Sequence, residues 1–213
     1  MLTSKPASRQ RKTKRPCQTC FLHHDLCICE FIPKLNLKTK ISLIVHYKEL
    51  KRTTNTGRLA ASALMNSEVR IRGQNSRTMQ PRALDLSDLL RADYESFLLF
   101  PSDSAVELSP SFIKQFQKPI QLIVPDGNWR QASKVHYRHH ELKALQRVKV
   151  MPKVTSKTQP LKFMRKESVV GGMATLEAIA QALGIIEGVE VENLLGSLYQ
   201  LKLERTLKGR GIT

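Results

Sequence analysis

With 213 residues the chain suits one domain and a small appendage, since ~150 residues already bury about 70% of their unfolded surface. Thirty-five Lys and Arg against 18 Asp and Glu leave a formal charge of +17, which points to a polyanionic partner, nucleic acid first and an anionic membrane surface second. No apolar run approaches the ~20 residues that span a bilayer, and the amino terminus lacks a signal-peptide core, so a soluble, cytoplasmic protein is expected.

Residues 1–15 contain Lys5, Arg9, Arg11, Lys12, Lys14 and Arg15 and no acid, the composition of a disordered basic arm. Such an arm is either an auxiliary grip on phosphate or a solvated tail. Residues 16–33 then hold all four cysteines, Cys17, Cys20, Cys27 and Cys29, in the spacing C-x2-C-x6-C-x-C. Four thiolates are the ligand set of a closed tetrahedral zinc centre, which would fold a segment too small for its own core. Reduced thiols without metal are the alternative, and His23 and His24 lie in the loop as competing ligands.

The main domain, 34–213, starts its folded part at Lys40, where Ile41, Leu43, Ile44 and Val45 predict a strand. A loop with His46, Lys51, Arg52, Thr54, Asn55, Thr56 and Arg58 leads into an alanine-rich helix over 59–65. Hydroxyl, amide and basic groups before a helix amino terminus make an anion site, for phosphate or sugar; simple helix capping explains only part of the cluster. Residues 68–72 predict a second strand, followed by a basic loop with Arg70, Arg72, Arg77 and Arg82. A third strand over 96–100 stops at Pro101-Ser102, and 110–117 reads as a short helix.

The strand over 120–124 is expected to stop at Pro125. Asp126 then stands where open α/β sheets bind their ligands, at a strand's carboxyl end. Gly127 permits a sharp turn, and Asn128 can cap a helix over 129–145 with Trp129, Arg130 and Gln131 in its first turn. The plain alternative is an ordinary strand–turn–helix with Trp129 in the core. Another strand is expected over 147–150. A turn at Gly171, Gly172, Met173 and Ala174 precedes a helix from Thr175 to 183 that carries Glu177; its paired glycines allow close backbone approach to a ligand. It is neither a P-loop nor a dinucleotide turn. The last helix, 192–207, directs Leu194, Leu195, Leu198, Leu201 and Leu203 to an apolar face. Strands alternating with helices give an α/β fold with a mostly parallel sheet.

Taken in order, the cysteine knuckle after Arg15, H-x2-E-x4-T-N-T-x2-L-A at 46–60, Pro101-Ser102, D-G-x-W-x-x-A at 126–132 and T-x-E-A at 175–178 resemble a DTW-domain protein. Asn128 stands where the family's name motif has Thr, and Ala174 where a Ser is usual. The resemblance implies a SPOUT-related fold with a carboxyl-terminal trefoil knot, and tRNA-uridine aminocarboxypropyl transfer from S-adenosylmethionine to N3, at position 47 in bacterial relatives. It further implies that Asp126 acts as general base or positioning group, with Trp129 and Arg130 on the uracil. Pro101, Ser102, Asp126, Gly171, Gly172, Met173, Ala174, Thr175 and Glu177 would hold the cofactor, and Lys51, Arg52, Thr54, Asn55, Thr56 and Arg58 would meet tRNA. SPOUT-type RNA methylation and a non-catalytic zinc-containing RNA-binding protein are the competing readings. A monomer or a homodimer is compatible with the resemblance.

Overall fold

The structure is a computed structural model that describes residues 16–50, 52–73, 84–152 and 173–211. Six strands form one sheet: β1 (Lys40–His46), β2 (Ser67–Arg72), β3 (Glu95–Leu99), β4 (Val106–Glu107), β5 (Ile120–Asp126) and β6 (Arg147–Lys149). Their order is β2-β1-β5-β3-β6-β4, and every pairing is parallel. A parallel sheet needs cover on both faces, which explains why β5 is buried at each of its positions.

Alternation along the strands sends Ile41, Leu43 and Val45 to one face, where α1 (Gly57–Ala63), α5 (Thr175–Ile186) and α6 (Val189–Lys208) pack. Cys20, Leu22 and Ile28 of the cysteine segment join that same core. Ile44, Leu98 and Ile123 face the other way, against Ala132 and Val135 of α3 (Trp129–Arg138) and Leu142 of α4 (His140–Lys143). A further α-helix, α2 (Pro110–Ile113), is a single turn capped by Ser109. Across the adjacent strands β2, β1, β5 and β3 runs a polar chain, buried at Ser42 and Gln121. Ser42 donates to Glu68, Gln121 donates to Ser42, and Ser96 donates to Gln121, at 2.7, 2.8 and 2.8 Å.

Several expectations change. β5 does not stop at Pro125 but pairs with β1 through Ile44–Pro125 and Val45–Asp126. Pairing with β3 has ended by then, so the proline nitrogen lacks a ladder partner only where none is needed. The helix expected over 129–145 is two helices, broken at His139, whose backbone is extended. Leu194 is 48% exposed, whereas Leu195, Leu198 and Leu203 are buried. The two-residue strand β4 is too short to leave a periodic pattern. The basic arm 1–15, the turn residues Gly171 and Gly172, and the segment 153–172 on which the expected knot depends lie outside the described residues. Among the described residues, no helix is long and apolar enough to cross a membrane.

Candidate active site and metal centre

β1 connects through α1 to β2 on one side, while its neighbour β5 connects through α3 toward β6 on the other. The crevice outside the carboxyl ends of β1 and β5 is therefore the sheet's switch point, the usual ligand position in such folds. Asp126 sits there, 6% exposed. Its Oδ2 accepts from Asn55 Nδ2 and its Oδ1 from Thr175 Oγ1, both at 2.5 Å. Asn55 Oδ1 in turn accepts from the Arg58 amide at 3.1 Å, and Thr56 Oγ1 from the Leu176 amide at 3.3 Å. One carboxylate thus fastens the first turn of α1 to the first turn of α5. The approach is close enough that a Cβ on Gly57 would stand 2.8 Å from Asp126 Cγ and Oδ2.

The turn after Asp126 forms as the sequence predicts. Asn128 Oδ1 accepts from the Gln131 amide at 2.9 Å, and Gln131 Oε1 accepts from the Asn128 amide at 2.8 Å, a reciprocal cap. Gln131 Nε2 also lies 3.2 Å from His46 Nδ1, linking α3 to the end of β1. Burial first, then the cations Arg72, Lys48 and Arg52, lower the His46 pKa and keep the ring neutral. Trp129 is not in the core. It is 41% exposed and stacks on Phe100, with ring centroids 4.9 Å apart at 29°. Arg130 beside it is exposed. Phe100 also meets His136, which is buried and whose Nδ1 has no hydrogen-bond partner among the described residues.

Pro101 and Ser102 follow β3 at the same sheet edge, with Ser102 Oγ 3.4 Å from Ser104 Oγ. Met173 and Ala174 lead into α5, where Glu177 Oε2 accepts from the Ala174 amide at 3.3 Å. Glu177 therefore braces a cap position whose own side chain has no acceptor. Of the residues expected to meet RNA, Asn55 and Thr56 are buried and directed at Asp126 and α5. Arg58 Nη1 donates to the Leu50 carbonyl at 3.0 Å, and its guanidinium lies 4.7 Å from the Phe21 ring centroid, against the cysteine segment. Arg52 is exposed and pairs with Glu49 at 3.2 Å, and Thr54 is half-buried. Lys51 lies outside the described residues.

The four cysteine sulfurs lie within 4.8 Å of one another. A tetrahedron with ~2.3 Å metal–sulfur bonds has edges of about 3.8 Å. The Cys17–Cys29 and Cys20–Cys27 sulfurs stand 3.5 and 3.7 Å apart, near that edge and beyond any disulfide. The arrangement could hold a metal such as zinc. The Cys20 backbone, ahead of the opposing effect of burial, holds the Cys17 thiol down to about 6, so one ligand ionises readily. His23 and His24 are exposed and outside the cluster; His23 Nδ1 instead accepts from the Asp25 amide at 3.4 Å. Behind the cluster Lys202 of α6, 2% exposed, donates from Nζ to the Cys20 carbonyl. Lys202, Gln131 and Arg72 were not legible as site residues, because each acts across more than fifty positions of chain.

Comparison with known proteins places the chain in a family. The DTW domain matches residues 14–207. A tRNA-uridine aminocarboxypropyltransferase 2 from Macaca fascicularis is 25% identical over 178 residues, covering 83% of this chain and 58% of the relative. The protein of the same name from Mus musculus is 26% identical over 177 residues, covering 82% and 57%. The chain thus spans somewhat over half the length of these curated relatives. No solved structure matches. With the match running from the cysteine segment to the last helix, this chain belongs to the DTW domain family.

Proposed function

We propose that this chain moves the 3-amino-3-carboxypropyl group of S-adenosylmethionine to N3 of a tRNA uridine, position 47 being the expected one, and releases methylthioadenosine. Two relatives, each a tRNA-uridine aminocarboxypropyltransferase 2 by name, support aminocarboxypropyl transfer to a tRNA uridine. One structural observation carries the reading here. Motif residues far apart in sequence, Asn55, Asp126 and Thr175, are joined by hydrogen bonds at the switch-point crevice, and Trp129, three positions after Asp126, is exposed.

The residues present fit the cofactor. An aromatic stack with an open face, the hydroxyl-bearing turn at 101–104 and the start of α5 all stand at the sheet's carboxyl edge. Pro101, Ser102, Met173, Ala174 and Thr175 would hold it, with Gly171 and Gly172 and the expected knot completing the cradle. Bound S-adenosylmethionine supplies an electrophilic γ-carbon and a sulfonium leaving group.

The chain's own task is to place uridine N3 and remove its proton. Trp129 offers its exposed face to the uracil, and Arg130 adds a cation beside it. Asp126 first positions: its hydrogen bonds from Asn55 and Thr175 keep α1 and α5 closed around the crevice. An ionised carboxylate has about four lone-pair sites, so accepting the N3 proton is compatible with those bonds. The metal centre is structural and closed, and the basic arm 1–15 and knuckle 16–33 extend the RNA footprint of the catalytic domain 34–213.

Mass spectrometry of unmodified tRNA incubated with the protein and S-adenosylmethionine tests this. A nucleoside heavier by one aminocarboxypropyl group, with methylthioadenosine released, is expected. A gain of one methyl group, or no gain across a range of tRNAs, would overturn it.

A further inference from the structure

Arg72 ends β2 in register with His46 and is 9% exposed. Its hydrogen bond is a long one, Nη1 to the Gln131 carbonyl at 3.4 Å. No carboxylate among the described residues lies within ion-pair distance of it. Its charged surroundings are of like sign: Arg138 at the end of α3 acts directly on it, and Arg72 in turn acts on His46 and His139. The sequence that follows, 74–83, adds Arg77 and Arg82 and no acid. A guanidinium this buried and this poorly paired is costly unless an anion joins it.

A second donor stands on the neighbouring strand. His46 Nδ1 accepts from the Lys48 amide at 3.3 Å, so the neutral ring carries its proton on Nε2. That Nε2 faces Gly73, the residue after Arg72, lying 3.5 Å from where a Cβ on Gly73 would be. An imidazole N–H and a forked guanidinium thus stand on strand positions paired in register, with Lys48 and Arg138 exposed and Arg52 held by Glu49. The rim continues outward as positive surface, which suits one unit of a polymer of phosphates better than a single small anion.

We propose that Arg72, with His46 and Arg138, seats a backbone phosphate of the RNA substrate on the β2 side of the crevice. The seat holds the RNA by its backbone while Trp129 meets the base. That the polymer is tRNA rests on the function proposed above.

Binding of an unmodified tRNA transcript is measured from about 50 to about 300 mM salt for wild type and Arg72→Gln. Loss of one phosphate contact lowers the slope of log K against log salt by ~0.7–0.9 and weakens binding severalfold at low salt. Arg72→Lys keeps the slope. Inorganic phosphate raises the unfolding midpoint of the wild type and has a smaller effect on Arg72→Gln. An unchanged slope in Arg72→Gln with a lowered midpoint would make Arg72 a tether for α3 and overturn the proposal. Should that variant not fold, Arg138→Gln, on the exposed rim, carries the same slope test. A reduced slope without any aminocarboxypropyl transfer sinks the reaction and leaves the phosphate seat standing. Transfer with an unchanged slope does the reverse.

Discussion

Thr175 donates to Asp126 across 49 positions of chain, and the bond is what brings the start of α5 to the end of β5. Asn55 completes the clamp from the other side. Replacing Asp126 with Ala leaves the buried Asn55 without that acceptor, at a cost of about 1–3 kcal/mol, and the half-buried Thr175 at a smaller one. Asp126→Ala should lose aminocarboxypropyl transfer and unfold at lower denaturant while still binding tRNA. Thr175→Val should reproduce part of the stability loss and Thr175→Ser should restore it. Normal transfer by Asp126→Ala would remove the carboxylate from the mechanism.

Gly57 has no room for a side chain against Asp126. Gly57→Ala should cost ~1–3 kcal/mol by overpacking and should lower transfer with it. Gly196, inside α6, has nothing within 4 Å of its would-be Cβ. Gly196→Ala should instead gain about 0.5–1 kcal/mol through helix propensity and leave transfer unchanged. Chemical denaturation of the two variants checks both signs.

Trp129 is the chain's single tryptophan and keeps one face open over Phe100. Its fluorescence should change when tRNA binds. Trp129→Ala should weaken binding by about 1–3 kcal/mol, the worth of a base stack, with little loss of stability. Trp129→Phe should recover part of the affinity. A variant that unfolds but binds as before would assign Trp129 to packing alone.

The metal centre and the last helix should stand or fall together. A tetrathiolate–zinc unit carries net negative charge, and Lys202 sits behind it without exposure to water. Substituting a group that braces a metal ligand from behind typically costs 10–100-fold in metal affinity. Lys202→Met should therefore release zinc to a chelator at least ~10-fold more readily than wild type. Chelation should also expose Cys20, Leu22 and Ile28 to exchange and loosen the end of α6. Equal metal retention by Lys202→Met would limit the lysine to its backbone contact.

Burial, and then Arg147, lowers the His136 pKa from 6.5, and burial also lowers those of His46 and His139. The unfolded chain then takes up protons first as pH falls through about 6.5. Stability is full above that value and declines below it, down to the folded pKa of each ring. His136→Phe, which keeps the aromatic packing on Phe100, should flatten this decline. Denaturant midpoints at several pH values from neutral to mildly acidic check the slope.

Much of the site was legible because chemistry and punctuation coincide in the sequence. An apolar run followed by Pro125, Asp126, Gly127 and Asn128 can hardly avoid a strand, a turn and a capped helix. The carboxylate, the cap and the aromatic are where that pattern puts them. Asn55 and Thr56 are in the right loop but turned inward. A polar residue before a helix can cap it, meet solvent or reach a distant partner, and local spacing does not choose. The break at His139 was hidden because Trp129–Leu145 is polar enough throughout to read as one surface helix.

By itself the sequence determined the element types, the parallel sheet, the four-thiolate cluster and the position of Asp126 at a strand's end. These follow from periodicity, glycine and proline geometry, and ligand spacing, all of which act over a few residues. Only the tertiary structure decided that Thr175 and Asn55 share Asp126, that Lys202 backs the cysteines, and that Arg72, in register with His46, has no carboxylate partner among the described residues. Those pairings depend on strand order and helix docking. Burial, integrated over the whole core, selects them, and no window of sequence contains both partners.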